Sequence, residues 1–195
     1  MKRDKTAPTE EIEIRPVTPY RWADLERLFG PRGACAGCWC MYWRRYHKDY
    51  ESGKGNGNKR VLKRLVAERV PGVIGYLNGE PAGWCCVSPR DEFVRLEKSR
   101  ILKPVDDAPV WSVVCFFVAR AHRRTGLSVE MLRGAVDYAQ RSGAKIVEGY
   151  PVDAEKRGVP AAFAWTGTQR AFEAAGFKEC ARRSPTRPIM RLKVA

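Results

Sequence analysis

The sequence predicts one α/β domain built on a mixed sheet, and three observations carry that prediction. Residues Gly72–Leu77 and 81–88 are β-prone runs flanking Asn78-Gly79, a pair that tolerates positive φ and suits a type I′ hairpin turn. Residues 110–118 are almost wholly apolar and β-prone, as expected of a strand buried on both faces. Residues 127–142 then place Leu127, Met131, Leu132, Ala135, Val136 and Ala139 on one helical face, with Gly143 to end the helix and a further strand at 145–150. Strand, helix and strand in that order form a βαβ unit with parallel strands, so a sheet that also holds the hairpin is mixed.

The other elements follow in order. Residues 11–17 alternate polar and apolar side chains as a strand does, and 20–29 repeat apolar positions at helical spacing until Gly30-Pro31. A loop rich in Gly, Cys and Trp spans 32–43, the polar stretch 51–57 reads as mobile, and Asn58 is placed to cap a helix over 59–69. A short helix is expected over 91–98 and an irregular loop over 151–166. A helix over 168–175, ended by Gly176, precedes a last strand pair at 177–182 and 188–194. Residues 1–10 read as a flexible charged tail and 11–195 as the single domain, with no internal repeat.

A chain of 195 residues, 44% hydrophobic, can bury one core but not two. The polar start and the lack of any apolar run of about 20 residues predict a cytoplasmic protein with no membrane partner. Seven cysteines, an odd number with Cys85, Cys86 and Cys115 inside apolar strands, are expected to be reduced thiols. A net charge of +14 favours anionic partners such as nucleic acid, an anionic cofactor or an acidic substrate, without choosing among them.

The stretch Arg123-Arg124-Thr125-Gly126-Leu127-Ser128 lies between the buried strand and the long helix, just after Arg120 and His122. A helix N-terminus offers unpartnered N–H groups and a positive dipole end; Gly126 admits close main-chain approach, and Ser128 adds a hydroxyl. The site suits a pyrophosphate, although a glycine turn with solvated arginines is the alternative. This stretch resembles the acyl-CoA loop of the GNAT (Gcn5-related N-acetyltransferase) superfamily, Gln/Arg-x-x-Gly-x-Gly/Ala, with Arg123, Gly126 and Ser128 at the marked positions and Ser in place of the last small residue. Phe172-Glu-Ala-Ala-Gly-Phe177 resembles the same family's aromatic-Glu-x-x-Gly-Phe signature downstream.

The resemblance implies a GNAT fold, acetyl-CoA as cofactor and an amine acceptor. It places the pantetheine arm between two splayed parallel strands, bonded to the main chain of Phe116 and Val118, with Phe172 beside the cofactor and the Val118 N–H polarising the carbonyl. Phe172 stands where the family usually has a tyrosine as leaving-group acid. Tyr150 is the substitute candidate, and Glu148, two residues earlier on the same strand face, is the candidate base acting through water. Each has a plainer alternative, a packed tyrosine and a surface carboxylate. His122, among arginines and beside the phosphate loop, suits a phosphate or surface role better than a base.

Cys35, Cys38, Cys40 and His47 offer a zinc-like ligand set, but three cysteines so crowded fit a buried apolar loop better, and no metal is expected. With Trp39, Met41, Tyr42 and Trp43, the same loop is a candidate wall for an aromatic or apolar acceptor. The charge disfavours polycationic acceptors unless Asp91, Glu92, Asp106 and Asp107 gather into an acidic patch. The rival reading is a non-catalytic module that binds nucleic acid or CoA through its basic surface.

Overall fold

The computed structural model describes residues 11–153 and 161–194. The expected tail and part of the loop over 151–166 therefore lie outside the described residues. Seven strands form one sheet: β1 (Ile12–Pro16), β2 (Gly72–Leu77), β3 (Glu80–Pro89), β4 (Trp111–Val118), β5 (Ile146–Gly149), β6 (Lys178–Arg182) and β7 (Pro188–Lys193). Their spatial order is β1-β2-β3-β4-β5-β7-β6, antiparallel throughout except for β4 with β5. The β2–β3 turn has φ of 51° at Asn78 and 81° at Gly79, both positive as a type I′ turn requires.

Six α-helices accompany the sheet: α1 (Trp22–Phe29), α2 (His47–Ser52), α3 (Asn56–Glu68), α4 (Val94–Glu97), α5 (Leu127–Arg141) and α6 (Gln169–Ala174). Helix α5 buries the six residues its periodicity predicts, against one sheet face that includes Val73, Cys85 and Val113. The opposite face carries Ile74, Trp84, Cys86 and Val114 and packs under α1, α3 and the loop between α1 and α2, with Leu25, Trp39, Met41 and Leu62 in that core.

Two expectations are corrected here. Residues 51–57 are not a featureless stretch, because α2 runs into it and α3 starts at Asn56. Nor is Asn58 a cap: it is buried in the first turn of α3, donates to the Gly37 and Tyr50 carbonyls at 3.4 and 3.3 Å, and accepts from Arg45 at 2.7 Å. These bonds fasten the α1–α2 loop to α3, long-range partners that no local signal reports.

Candidate active site

Pairing between β4 and β5 ends at Val113 with Gly149. Opposite β3, Cys86 faces Cys115 and Val87 faces Val113, so Val114 is an extra residue in β4, a β-bulge that bends the strand where its neighbour leaves it. Beyond β5 the chain bridges instead to Thr168, through Val152. The edge of β4 from 114 to 118 that faces β5 therefore has no strand partner among the described residues. Phe172 fills the angle on the α5 side, edge-on to Phe116 (6.0 Å between centroids) and Phe177 (5.0 Å). A methyl carbon at Gly149 would lie 2.0 Å from the Phe172 ring, and one at Gly167 would lie 2.7 Å from it. Both glycines make way for that ring.

At the far end of β4 the chain turns through Arg120–His122 to α5. Gly126 takes φ of 84° and Arg124 φ of 67°, and no side chain caps the helix. A Cβ at Gly126 would meet no atom within 4 Å, so the main chain there is open to close approach. Arg120, Arg123, Arg124, Thr125 and Gly126 are exposed, Ser128 is partly exposed and Leu127 is buried as an anchor. Arg123 donates through Nε to the Val118 carbonyl at 3.2 Å, tying the loop to the open strand. Of the expected cofactor residues, Arg123, Arg124, Thr125, Gly126 and Ser128 are at least partly exposed at the helix end and Val118 is partly exposed on the open strand, whereas Phe116, Leu127 and Phe172 are buried.

On the opposite face, Glu148 and Tyr150 meet as their spacing predicts, with the Tyr150 hydroxyl donating to Glu148 at 2.6 Å. Sequence does not reveal what surrounds them. Arg90 donates to Glu148 at 3.1 Å and to the Tyr150 oxygen at 2.5 Å, Arg191 donates to Glu148 at 2.6 Å, and Ser112 lies 2.9 Å from the Tyr150 hydroxyl. Glu148 and Tyr150 are both 0% exposed. Burial, and then the Glu148 charge, push the Tyr150 phenol well above its usual pKa, so it holds its proton. Tyr150 lies just past the last β4–β5 pair, but its hydroxyl turns back toward Ser112 rather than out along the open edge. A crevice of about 230 Å3, lined by Arg90, Asp106, Asp107, Val110, Glu148 and Arg191 among others, leads to this network from outside.

The acidic residues do not gather into one patch. Arg44 and Arg69 bind Glu92, and Arg191 binds Asp106 at 2.6 Å, which keeps the Asp106 carboxyl below its ordinary pKa. The loop cysteines part ways, Cys40 leaving Cys35 to meet the Cys86 and Cys115 sulfurs. Cys35 is exposed, whereas Cys40 points into the core, where its sulfur accepts from the Trp84 indole at 3.2 Å. The aromatic loop does reach the parting of the strands: Trp43 donates to the Val114 carbonyl at 3.0 Å, and Tyr42 packs edge-on against Trp43, Tyr50 and Trp165.

An uncapped helix end flanked by exposed arginines, continued by a strand edge that no described strand pairs, is the arrangement expected of the class of proteins that hold coenzyme A thioesters. The particular family follows from the sequence: the profile of the acetyltransferase (GNAT) family matches residues 22–171, and the chain belongs to that family. No curated protein sequence matches significantly. Among solved structures, a GNAT-family acetyltransferase of Listeria monocytogenes superposes with a TM-score of 0.58 at 11% identity, over 97% of this chain and 98% of that one. The yncA protein of Salmonella typhimurium, solved with acetyl-CoA, gives 0.51 at 16% identity over 93% of each chain. The PaiA N-acetyltransferase of Thermoplasma acidophilum, in complex with coenzyme A, gives 0.53 at 13% identity over 94% and 99%. At such identities the likeness is one of fold. Among the described residues no helix is long and apolar enough to cross a membrane.

Proposed function

We propose that this protein transfers an acetyl group from acetyl-CoA directly to a primary amine of a small molecule or a protein, within the cytoplasm. The observation that carries the proposal is the uncapped, glycine-led end of α5, set at the end of a strand whose outer edge no described strand pairs from 114 to 118. The fit to acetyl-CoA rests on this chain's own groups. The first N–H groups of α5, with Arg120, Arg124 and Ser128, would take the phosphates, and the main chain of Phe116 and Val118 would take the amides of the arm. When bound, acetyl-CoA supplies the acetyl group as an activated thioester.

The rest falls to the protein. Val118 adjoins the phosphate loop, so the Phe116 N–H, on the same open edge and nearer the parting, is the better candidate donor to the thioester carbonyl. Glu148 is the candidate base, taking the amine's proton through water in the adjoining crevice, and Tyr150, bonded to it and holding its own proton, is the candidate acid for the leaving thiolate. Phe172 has no hydroxyl and takes no part in proton transfer; its ring keeps the strands apart.

Calorimetric titration with acetyl-CoA, followed by thiol release across an amine panel, tests this reading. Binding at micromolar or tighter affinity together with acceptor-dependent thiol release supports it. Absence of both, with salt-sensitive retention on nucleic acid, would replace it with the non-catalytic module.

A further inference from the structure

The buried and half-buried arginines near the sheet are, for the most part, matched to carboxylates. Arg44 has Glu92, Arg90 has Glu97 and Glu148, Arg182 has Asp153 and Glu179, and Arg191 has Asp106 and Glu148. Other half-buried arginines bond to neutral groups instead, Arg45 to Asn58 and Arg183 to the Lys103 and Pro104 carbonyls, and two of this second kind lie by the aromatic loop. Arg95 lies over the rings of Tyr42 (4.2 Å) and Tyr50 (5.2 Å) and donates through Nε to the Arg45 carbonyl at 2.9 Å, yet its Nη2 is buried with no partner. Arg187, half-buried, donates to the Thr166 hydroxyl at 3.0 Å and has no carboxylate partner among the described residues.

Both converge on Tyr42, since Arg187 lies within electrostatic reach of that residue while burial works against its charge. Tyr42 in turn touches Trp43 and Trp165, and Trp43 is bonded to the bulge residue Val114 at the parting of β4 and β5. Arg187 and the Nη2 of Arg95, neither bonded to a carboxylate among the described residues, therefore stand beside the place where the proposed function puts the reacting thioester, with Glu51 within electrostatic reach of Arg95. An unmatched buried cation is costly unless a ligand completes it.

We propose that Arg187, with Arg95 behind it, binds an anionic oxygen group carried by the acceptor, either a carboxylate or a phosphate close to the amine. The proposal rests on the acetyltransferase reading for its location, and it narrows the acceptor to amines that bear a negative charge beside an apolar or aromatic body. A guanidinium suits either anion through paired N–H donors.

The probes are apolar and aromatic α-amino acids, their primary amides, and aminoalkyl phosphates. Each is titrated into the CoA-saturated protein by calorimetry and assayed for thiol release with acetyl-CoA. One anionic series should bind about tenfold or more tightly than the amides, and whichever series wins identifies the group. Arg187→Gln should erase that preference and Arg187→Lys should keep part of it, with acetyl-CoA affinity and Tm unchanged in both. Equal binding of anionic and amide probes, or an equal loss for both in Arg187→Gln, overturns the proposal whether or not a probe is acetylated. Thiol release without anionic preference leaves the acetyltransferase reading standing and removes this one. Arg187-dependent anion binding without thiol release does the reverse.

Discussion

The two ends of the open strand are built on opposite principles. At the α5 end, small or exposed residues leave the main chain open to close approach and arginines facing solvent, with Gly126 clear of every neighbour. At the end where β4 and β5 part, Glu148, Tyr150, Ser112 and Arg90 are buried and bonded to one another. One region is open to solvent, and the other is satisfied internally. Substitutions should therefore separate binding from stability.

The largest effect expected is on stability. Arg90→Ala removes one guanidinium from a buried carboxylate, which typically costs about 3–5 kcal/mol, and at roughly 2–4 °C per kcal/mol for a chain of this size Tm should fall by about 10 °C. Acetyl-CoA affinity measured below that Tm should change little; an equal loss of affinity would break the contrast. Gly126→Val is the converse test. A side chain there meets no protein atom but intrudes where the phosphates approach, and φ of 84° costs a valine about 1–2 kcal/mol. Acetyl-CoA affinity should drop about a hundredfold, near 2.7 kcal/mol by calorimetry, with a smaller loss of Tm.

Glu148→Gln and Tyr150→Phe should each lower kcat about tenfold or more, roughly 1.4 kcal/mol of barrier, with acetyl-CoA binding intact; unchanged turnover in both would remove them from the chemistry. Alkaline titration offers a finer test. The Tyr150 pKa is raised in the folded state, so its contribution is fully present below the unfolded value near 10 and is lost as pH rises past it. Stability should thus decline above about pH 10, and less steeply in Tyr150→Phe. Smallest of all, Arg124→Ala should weaken acetyl-CoA a few-fold, with the difference shrinking as salt is added.

Legibility in the sequence follows the same divide. The hairpin at Asn78-Gly79, the buried β4, the amphipathic α5 and the loop at its start are set by residues near one another, so periodicity and turn chemistry expose them. The meeting of Glu148 with Tyr150 follows from strand alternation alone. Arg90 and Arg191 reach that pair from 58 and 43 positions away, and Asn58 bonds Gly37 across 21. Such partners are chosen by the fold, and an arginine after a strand end carries no mark that it will be buried on a carboxylate. The family resemblance supplied what local pattern could not, namely that the strands beside the loop should splay.

The ring of Phe172 wedged between Gly149 and Gly167 has a consequence for how this protein can diverge. The three positions form a single inherited unit, because any side chain larger than hydrogen at 149 or 167 collides with the ring unless the ring itself shrinks. Across a set of relatives, an alanine or serine at either glycine should co-occur with a smaller residue at 172. Change at these positions should therefore come as a compensated set rather than through single steps.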